Sequence, residues 1–321
     1  MLAVTSNLFL LAETTYNSND HLNKPAGEKC ALSIVTIIPD APITMSSSIQ
    51  LLCSTGTFSR FPDLTDYRSI LTYAPELEVD GFELMFYPDW STEIEQISSE
   101  LLKSRLRFPA IHAEKGIGPA LISSQPEERE QGWQWMQASC QLGKSLGASL
   151  LIFHLWGLPD SDEKIEQNLQ FLKDCMNVSE DFGLKLVVET IPCKYKDPLS
   201  NVYQAVLQES GILVALDTEF LAMHNQLNTA LKADWLWQHN RVRHIHIKDY
   251  DGNLYSTDNY RRYLHPGEGG IDFPKFFESL RLRSFSGNIS LETSVVNLEG
   301  KRDIHKLKKS LALLQEMIIN S

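Results

Sequence analysis

Seven side chains that could bind a metal ion or move a proton stand at or near the ends of short apolar runs in this sequence. They are Glu83, His112, His154, Glu189, Asp217, His246 and Glu292. Buried imidazoles and carboxylates that converge without a cation or tight hydrogen bonds would repel one another or stay unsatisfied at high cost. Their mixed nitrogen and oxygen donors favour Mn²⁺, Zn²⁺, Co²⁺ or Fe²⁺ over Ca²⁺, and Mg²⁺ could bind through the carboxylates. The residue types therefore predict a divalent metal site.

The elements that would position these residues alternate between apolar runs and amphipathic stretches. The predicted strands are Ile49–Cys53, Gly81–Phe86, Phe108–His112, Ser149–His154, Lys185–Glu189, Leu213–Asp217, Val242–Lys248 and Asn288–Glu292. The predicted helices lie near residues 66–74, 92–104, 126–146, 161–182, 198–210, 219–232, 272–282 and 301–318. Eight strands alternating with eight helices indicate an α/β fold, the (β/α)₈ TIM barrel, in which all strands end on one face. A doubly wound sheet is the rival, but residues 54–58 (STGTF) are not its usual glycine-rich phosphate turn.

The chain organisation indicates a single barrel domain preceded by an irregular extension. Residues 1–45 lack sustained periodicity and carry a polar run over residues 17–25, so we expect an irregular N-terminal extension, with disorder as one expectation. Residues 46–321 are predicted to form the barrel. The first residues lack the positive flank of a signal peptide, and no run reaches the roughly 18 apolar residues of a membrane span.

Composition limits the classes of partner. The net charge of -12 opposes broad binding to nucleic acid, whose affinity depends on Lys and Arg neutralising phosphates. The five cysteines are scattered and form no CxxC pair, which favours a reducing, cytoplasmic location over a disulfide framework. We therefore expect a cytoplasmic protein with a small-molecule substrate, no nucleic-acid or membrane partner, and possible assembly into a homo-oligomer.

Further residues near the strand ends could bind substrate or pack inside the barrel. Glu83 is either a substrate contact or a partner in an internal salt bridge. We predict that His244 and His246 face opposite ways, with one directed inward and the other packed under a helix. Trp156 and Phe86 follow strand ends and could stack against the apolar side of a carbohydrate.

The loop after the seventh strand is a further candidate. It reads LHPGEGGIDF over residues 264–273, and it places His265 and Glu268 where barrel sites and phosphate subsites often occur. We interpret it as a site loop, with His265 as a candidate ligand of a second ion or a substrate contact and Glu268 as a substrate contact. The loop leads into a helix that Asp272 could cap.

Seven short strings give the chain a family resemblance. They are IHAEKG (111–116), IFHLWG (152–157), VVETI (187–191), ALDT (215–218), HIHIKD (244–249), HPGEGGIDF (265–273) and SLET (290–293). In this order they resemble the xylose isomerase-like superfamily, which includes sugar phosphate isomerases and epimerases, ketose 3-epimerases, inosose dehydratases and endonuclease IV. The resemblance covers roughly residues 49–318.

The resemblance implies a particular ligand set. The four-ligand metal site shared by the epimerases and the nuclease would fall on Glu189, Asp217, His246 and Glu292. His112 and His154 match the histidines that hold another zinc in endonuclease IV, so in this chain they would bind a second ion or substrate hydroxyls. The chain departs from the nuclease at Phe220 and Tyr263, where two ligands of its third zinc are missing, and His224 could replace one of them only by a helical shift.

The implied activity is metal-dependent isomerisation or epimerisation of a small sugar, sugar phosphate or polyol ketone. Glu189 and Glu292 would remove and return a proton through an enediolate. Lys115, Lys248 and the loop around Gly267 would anchor a phosphate or terminal hydroxyls. The alternatives are an endonuclease IV-like phosphodiesterase, an inosose-type dehydratase, and a barrel that binds a metabolite without turnover.

Overall fold

Eight parallel strands in the computed structural model form a closed barrel in which each strand pairs with its neighbours along the chain and β1 pairs with β8. The structure describes residues 49–59, 64–157, 160–297 and 299–320, so the predicted extension over residues 1–45 lies outside the described residues. The strands are β1 (Ile49–Ser54), β2 (Gly81–Met85), β3 (Ala110–His112), β4 (Leu150–Phe153), β5 (Lys185–Glu189), β6 (Leu213–Asp217), β7 (Val242–Ile247) and β8 (Gly287–Leu291). The predicted TIM barrel is confirmed.

Helices connect the strands on the outside of the barrel. They are α1 (Arg68–Tyr73), α2 (Ile94–Lys103), α3 (Ile117–Leu121), α4 (Pro126–Ser145), α5 (Ile165–Asp181), α6 (Pro198–Gln208), α7 (Thr218–Met223), α8 (Leu227–Lys232), α9 (Asp234–Trp237), α10 (Phe273–Leu282) and α11 (Ile304–Asn320). In the part of the chain that the structure describes, no helix combines the length and apolarity that crossing a membrane would require.

Most element boundaries differ from the sequence prediction by a few residues, and two of the differences have a local cause. The helix predicted over residues 219–232 is divided into α7 and α8, because Asn225 adopts a positive φ of 56° that a continuous helix does not allow. The strand predicted over Phe108–His112 is shortened to three residues, β3, and Pro109, which has no N–H to donate to a ladder, lies just before it.

The barrel interior follows from the two-residue period of a strand. Every second side chain points inward, and an apolar cluster inside the barrel contains Leu52, Ala110, Leu150, Ile152, Val187 and Ala215. Two residues beyond Ala110 and Ile152 come His112 and His154, and two beyond Val187 and Ala215 come Glu189 and Asp217. The same period therefore carries the apolar interior into a polar layer at the carboxyl ends of the strands.

Candidate metal centre

The polar layer brings together residues from six strands. His112, Glu189 and Asp217 are the last residues of β3, β5 and β6, and His246 lies within β7. His154 and Glu292 follow directly after β4 and β8. All six side chains are buried, and Glu292, the most exposed of them, is 7% exposed. Parallel strands end on the same face of a barrel, which explains how residues so far apart in sequence meet.

Glu189 is the centre of this arrangement. Its Oε2 atom lies 3.1 Å from Nε2 of His112 and 2.8 Å from Nε2 of His154. Its Oε1 atom lies 2.8 Å from Nδ1 of His246. Glu189 thereby belongs to two groups whose possible ligand atoms lie within 4.8 Å of one another, namely His112–His154–Glu189 and Glu189–Asp217–His246–Glu292.

The second group fits a divalent cation. Three carboxylates and one imidazole supply hard oxygen and borderline nitrogen donors of the kind that Mn²⁺, Zn²⁺ and Co²⁺ accept. A cation already lies among them, because Nζ of Lys248 is 2.7 Å from Oδ2 of Asp217 and 2.6 Å from Oε2 of Glu292. Lys248, predicted as a substrate contact, thus lies among the candidate ligands, with its Nζ also 4.5 Å from the ring centre of Phe220.

The pKa values reflect crowded negative charge. Burial raises the pKa of Asp217 to about 7, although Lys248 opposes the rise. Burial would also raise the pKa of Glu292, but Lys248 and Lys115 hold it below its ordinary range. His246 shows the opposite balance: burial disfavours its charged form, yet Glu83 and Glu189 raise its pKa well above the ordinary value. The cluster therefore attracts positive charge, whether from a proton, an ammonium group or a metal ion.

A cavity of about 450 Å³ adjoins the candidate ligands, within the size range of small-molecule sites. It is lined by Gly56, Ser59, Met85, Phe86, Tyr87, Glu114, Lys115, Arg261, Tyr263, Glu292, Thr293 and Ser294. Glu292 belongs to both the cavity wall and the ligand group, so it joins them. Lys115 has a side chain that is 47% exposed, and its Nζ lies 3.5 Å from Oε1 of Glu292. Phe86 also lines the cavity, but its side chain is only 1% exposed, so it presents no open ring face for the predicted stacking against a sugar.

Three other predicted substrate residues lie elsewhere. Trp156 is fully buried and donates its Nε1–H to the carbonyl of Pro192 at 2.9 Å, so it has no face open to a sugar. His265 is buried, with Nδ1 2.7 Å from the Ser310 hydroxyl on α11. Glu268 pairs with Lys306 of the same helix at 2.7 Å. The contacts of His265 and Glu268 fasten the loop to α11 instead of extending the candidate metal centre.

The glycine-rich loop has its own internal anion. The fully buried carboxylate of Asp249 accepts hydrogen bonds from the N–H groups of Tyr250, Gly267, Gly269 and Ile271 at 2.8–3.0 Å. A Cβ atom added at Gly269 would lie 2.5 Å from Oδ1 of Asp249. The prediction that the loop around Gly267 anchors a phosphate is therefore wrong, because Asp249 occupies the N–H groups that would do so.

Glu83 and His244 occupy a layer beneath the ligands. Both are fully buried, and Nε2 of His244 lies 2.8 Å from Oε2 of Glu83. The prediction that His244 and His246 face opposite ways is wrong, since residues two apart on a strand share a side and both bond Glu83. Of the two interpretations of Glu83, this placement fits the internal salt bridge and not the substrate contact. The His-x-His spacing was the signal that could have identified His244.

The positions that depart from the nuclease pattern hold no replacement ligand. Phe220 contacts Lys248, and Tyr263 lines the cavity beside Arg261, whose guanidinium lies 4.8 Å from its ring centre. Nε2 of His224 accepts a hydrogen bond from the backbone N–H of Cys193 at 3.2 Å, so this nitrogen is not available as a metal ligand. Among the described residues, the groups that could hold a metal do not include any of these three positions.

Comparison with known proteins adds a family and several similar folds. A sequence profile described as xylose isomerase-like TIM barrel matches residues 71–317. Two proteins of Methanocaldococcus jannaschii, both described as uncharacterized, are 23% identical over 184 residues and 24% identical over 123 residues. The matches cover 54% and 38% of this chain, and they span only 60% and 45% of those relatives' lengths.

Similar solved structures include sugar epimerases. D-allulose 3-epimerase from Methylomonas sp. superposes with a TM-score of 0.62 at 16% identity, covering 85% of this chain and 99% of that one. For 3-keto-D-glucoside 4-epimerase from E. coli the TM-score is 0.60 at 16% identity, with 84% and 99% covered. For D-psicose 3-epimerase in the presence of D-fructose it is 0.62 at 14% identity, with 84% and 99% covered. At these identities the likeness shows a shared fold.

Proposed function

This chain belongs to the xylose isomerase-like TIM barrel family, and on that premise we propose that it is a metal-dependent isomerase or epimerase of a small sugar or related polyol ketone. The observation that carries the proposal is the group Glu189, Asp217, His246 and Glu292, which is buried at the carboxyl ends of the strands and opens through Glu292 onto a cavity of about 450 Å³. The sugar epimerases among the similar folds support the reaction class.

The four residues would hold the ion, and the ion would supply Lewis acidity that lowers the pKa of a C–H beside a substrate carbonyl. Glu292 is suited to accept that proton, because it lines the cavity and two lysines keep its carboxylate ionised. Glu189 is the second carboxylate of the pair that would return a proton, through an enediolate. Lys115, at the cavity wall, would bind a substrate hydroxyl or the developing negative charge.

The cavity wall contains an oriented acceptor for a substrate hydroxyl. The hydroxyl of Ser59 donates to the Thr55 carbonyl at 3.0 Å, and it lies 2.9 Å from the hydroxyl of Tyr87. A serine has only one hydroxyl proton, so Tyr87 must donate its proton to Ser59. The Tyr87 oxygen then keeps its lone pairs for a hydroxyl donor, a group that a sugar or polyol ketone carries on most of its carbons.

An unphosphorylated substrate is favoured over a sugar phosphate. Loops after the seventh strand often bind phosphate in barrels, yet here the carboxylate of Asp249 fills the amide cradle of that loop. A phosphate would have to displace a buried anion and overcome its repulsion. The described residues that line the cavity offer Lys115 and Arg261 as cations, and Arg261 is paired with Glu219 through two contacts of 2.9 and 2.5 Å.

A second candidate is a phosphodiesterase with more than one ion. The group His112–His154–Glu189 favours it, because it could hold another ion that shares Glu189 as a bridging carboxylate. The aromatic residues at positions 220 and 263 count against a third ion, and the net charge of -12 counts against a nucleic-acid substrate.

The test combines metal analysis with exchange of substrate protons in deuterated water, using ketoses, keto-inositols and sugar phosphates. We expect metal-dependent exchange into a free ketose or keto-sugar, reduced about 10²- to 10⁴-fold in Glu189→Gln and Glu292→Gln. Glu268→Gln is the matched control, since Glu268 pairs with Lys306 on α11. Metal-containing protein that cleaves abasic DNA and exchanges no sugar proton would favour the phosphodiesterase, release of water from a keto-inositol would favour a dehydratase, and absence of any bound metal would refute the enzyme.

A further inference from the structure

Beneath the candidate ligands, the carboxylate of Glu83 holds two histidines inside the barrel. Nε2 of His246 lies 3.0 Å from Oε1 and 2.9 Å from Oε2 of Glu83, while Nε2 of His244 lies 2.8 Å from Oε2. All three side chains are fully buried. A buried carboxylate needs such donors, because water is not there to solvate it.

The hydrogen bonds determine which ring nitrogen of His246 can bind a metal. An ionised carboxylate only accepts hydrogen bonds, so His246 must donate its Nε2–H to Glu83. Its other nitrogen, Nδ1, then faces Glu189 at 2.8 Å, Glu292 at 3.5 Å and Asp217 at 4.0 Å. A metal ion can bind only the nitrogen that carries no proton, and with Nε2–H committed to Glu83 that nitrogen is Nδ1.

We propose that Glu83, with His244 as its second hydrogen-bond donor, is a positioning residue that holds His246 with Nδ1 directed at the metal site. Among the described residues, neither Glu83 nor His244 lines the cavity, and their side chains hydrogen-bond only each other and His246. Outer-shell carboxylates of this kind set the tautomer and ring orientation of metal-binding histidines. His244 contributes because it donates a second hydrogen bond to the buried carboxylate of Glu83, in addition to the one from His246. The inference rests on the proposed metal site.

A different use of the same three side chains is an inner ion. Glu83, His244 and His246 have possible ligand atoms within 4.8 Å of one another. The geometry favours hydrogen bonds, because an ion on Nε2 of His246 would require an imidazolate if Nδ1 also bound a metal. Only three ligands from the described residues form that group, and His246 is already shared with the upper site. The inner ion is therefore an outcome that the experiment must be able to detect.

The experiment measures binding of Mn²⁺ to folded, metal-free protein by calorimetry, together with the unfolding free energy of the same samples. We expect Glu83→Gln to weaken Mn²⁺ binding about tenfold, since the amide still accepts from His246 but carries no charge, and Glu83→Leu with His244→Leu to weaken it up to about a hundredfold. Asp162→Asn is the control. Its carboxylate is equally buried and accepts four hydrogen bonds from three backbone N–H groups in residues 194–196, so its loss should destabilise the fold and leave Mn²⁺ affinity unchanged.

A second readout uses Zn²⁺-loaded protein with ¹⁵N-labelled histidine. We expect the His246 signals to report a protonated Nε2 and a metal-bound Nδ1, and Glu83→Gln to preserve that pattern with a weaker hydrogen bond. If Glu83 variants lose stability but keep the Mn²⁺ affinity of the parent, then Glu83, His244 and His246 only stabilise the fold, and the proposal is overturned. An ion retained by the Asp217→Asn, Glu292→Gln double variant, and lost when Glu83→Gln is added, would overturn it in favour of the inner site.

The two proposals fail in different ways. If the parental protein binds Mn²⁺ and exchanges sugar protons, and the Glu83 variants bind Mn²⁺ equally well, only the positioning role is refuted. Parental protein that binds Mn²⁺ but exchanges no sugar proton removes the isomerase and leaves the positioning role to be judged on affinity. Parental protein that binds no divalent ion overturns both.

Discussion

The Nζ atom of Lys248 lies 2.6 Å from Oε2 of Glu292, and neither side chain is more than 8% exposed. The same ammonium group lies 2.7 Å from Oδ2 of Asp217. A protein cation thus stands between two carboxylates that a divalent ion would also need. Metal binding and this internal ion pair must therefore influence each other.

Replacing Lys248 with methionine should lower the stability of the metal-free protein and increase its response to metal. Breaking a buried ion pair by removing one partner costs about 3–5 kcal/mol, since it leaves the carboxylates uncompensated. An added Mn²⁺ ion would then be the nearest compensating cation, so it should raise the Tm of Lys248→Met more than that of the parent. Differential scanning calorimetry with and without Mn²⁺ measures both effects. The control is Lys308→Met, whose partner Glu76 is at the surface, and an equal or smaller metal response in Lys248→Met would contradict the prediction.

Tyr87→Phe should weaken substrate binding without a large change in turnover. The substitution removes the oxygen that, through its donation to Ser59, is oriented as an acceptor towards the cavity. Loss of one such hydrogen bond corresponds to about 1 kcal/mol, or roughly a fivefold rise in KM at similar kcat. Steady-state kinetics on whichever sugar supports proton exchange provides the measurement. Tyr255→Phe, at an exposed tyrosine, should leave KM unchanged, and a parental KM in Tyr87→Phe would remove this residue from the substrate site.

Gly269→Ala should destabilise the protein by about 1–3 kcal/mol. Its Cβ would lie 2.5 Å from Oδ1 of Asp249 and 2.7 Å from the backbone nitrogen of Tyr250, so the loop would have to move away from its carboxylate. Gly211→Ala is the matched control, because its nearest contact is a flexible methionine tip at 3.8 Å, and it should be neutral or stabilising by up to about 1 kcal/mol. Urea denaturation of both variants decides the matter, and equal effects would show that the loop tolerates the added methyl group.

His265 should make stability depend on pH between about 4 and 6.5. Burial lowers the pKa of His265 to about 4 from its ordinary 6.5, and nearby Lys306 contributes to the drop. Between pH 6.5 and 4 the imidazole is protonated in the unfolded chain but neutral in the folded protein. The contribution of His265 to the unfolding free energy is therefore fully present above pH 6.5 and is lost as the pH falls towards 4. Its upper limit is about 3 kcal/mol.

His265→Gln should accordingly lose less unfolding free energy than the parent when the pH is lowered from 7 to 4.5. Urea titrations at several pH values give the comparison. The exposed His239, replaced by Asn because its φ of 58° suits that residue, controls for loss of a histidine. Parallel curves for His265→Gln and the parent would show that this ring does not carry the pH dependence.

The sequence alone determined the fold class and which residues meet at one face. Apolar runs alternating with amphipathic stretches specify parallel strands, and parallel strands end together, so residues at their ends could be grouped without coordinates. The structure brings Glu189, Asp217, His246 and Glu292 within ligand distance of one another, as that rule implies. Element boundaries were less accurate where one residue decides them, as at Asn225.

Only the tertiary structure decided what the long and polar side chains reach. Lys248 lies among the carboxylates, Asp249 fills the glycine-rich loop, and Glu83 crosses the barrel interior to His244 and His246. Strand periodicity gives the side of the sheet on which a residue lies, but the partner across a barrel depends on the register of non-adjacent strands and on side-chain rotamers. Both the register and the rotamers depend on how the whole interior packs, and a local stretch of sequence does not specify that packing.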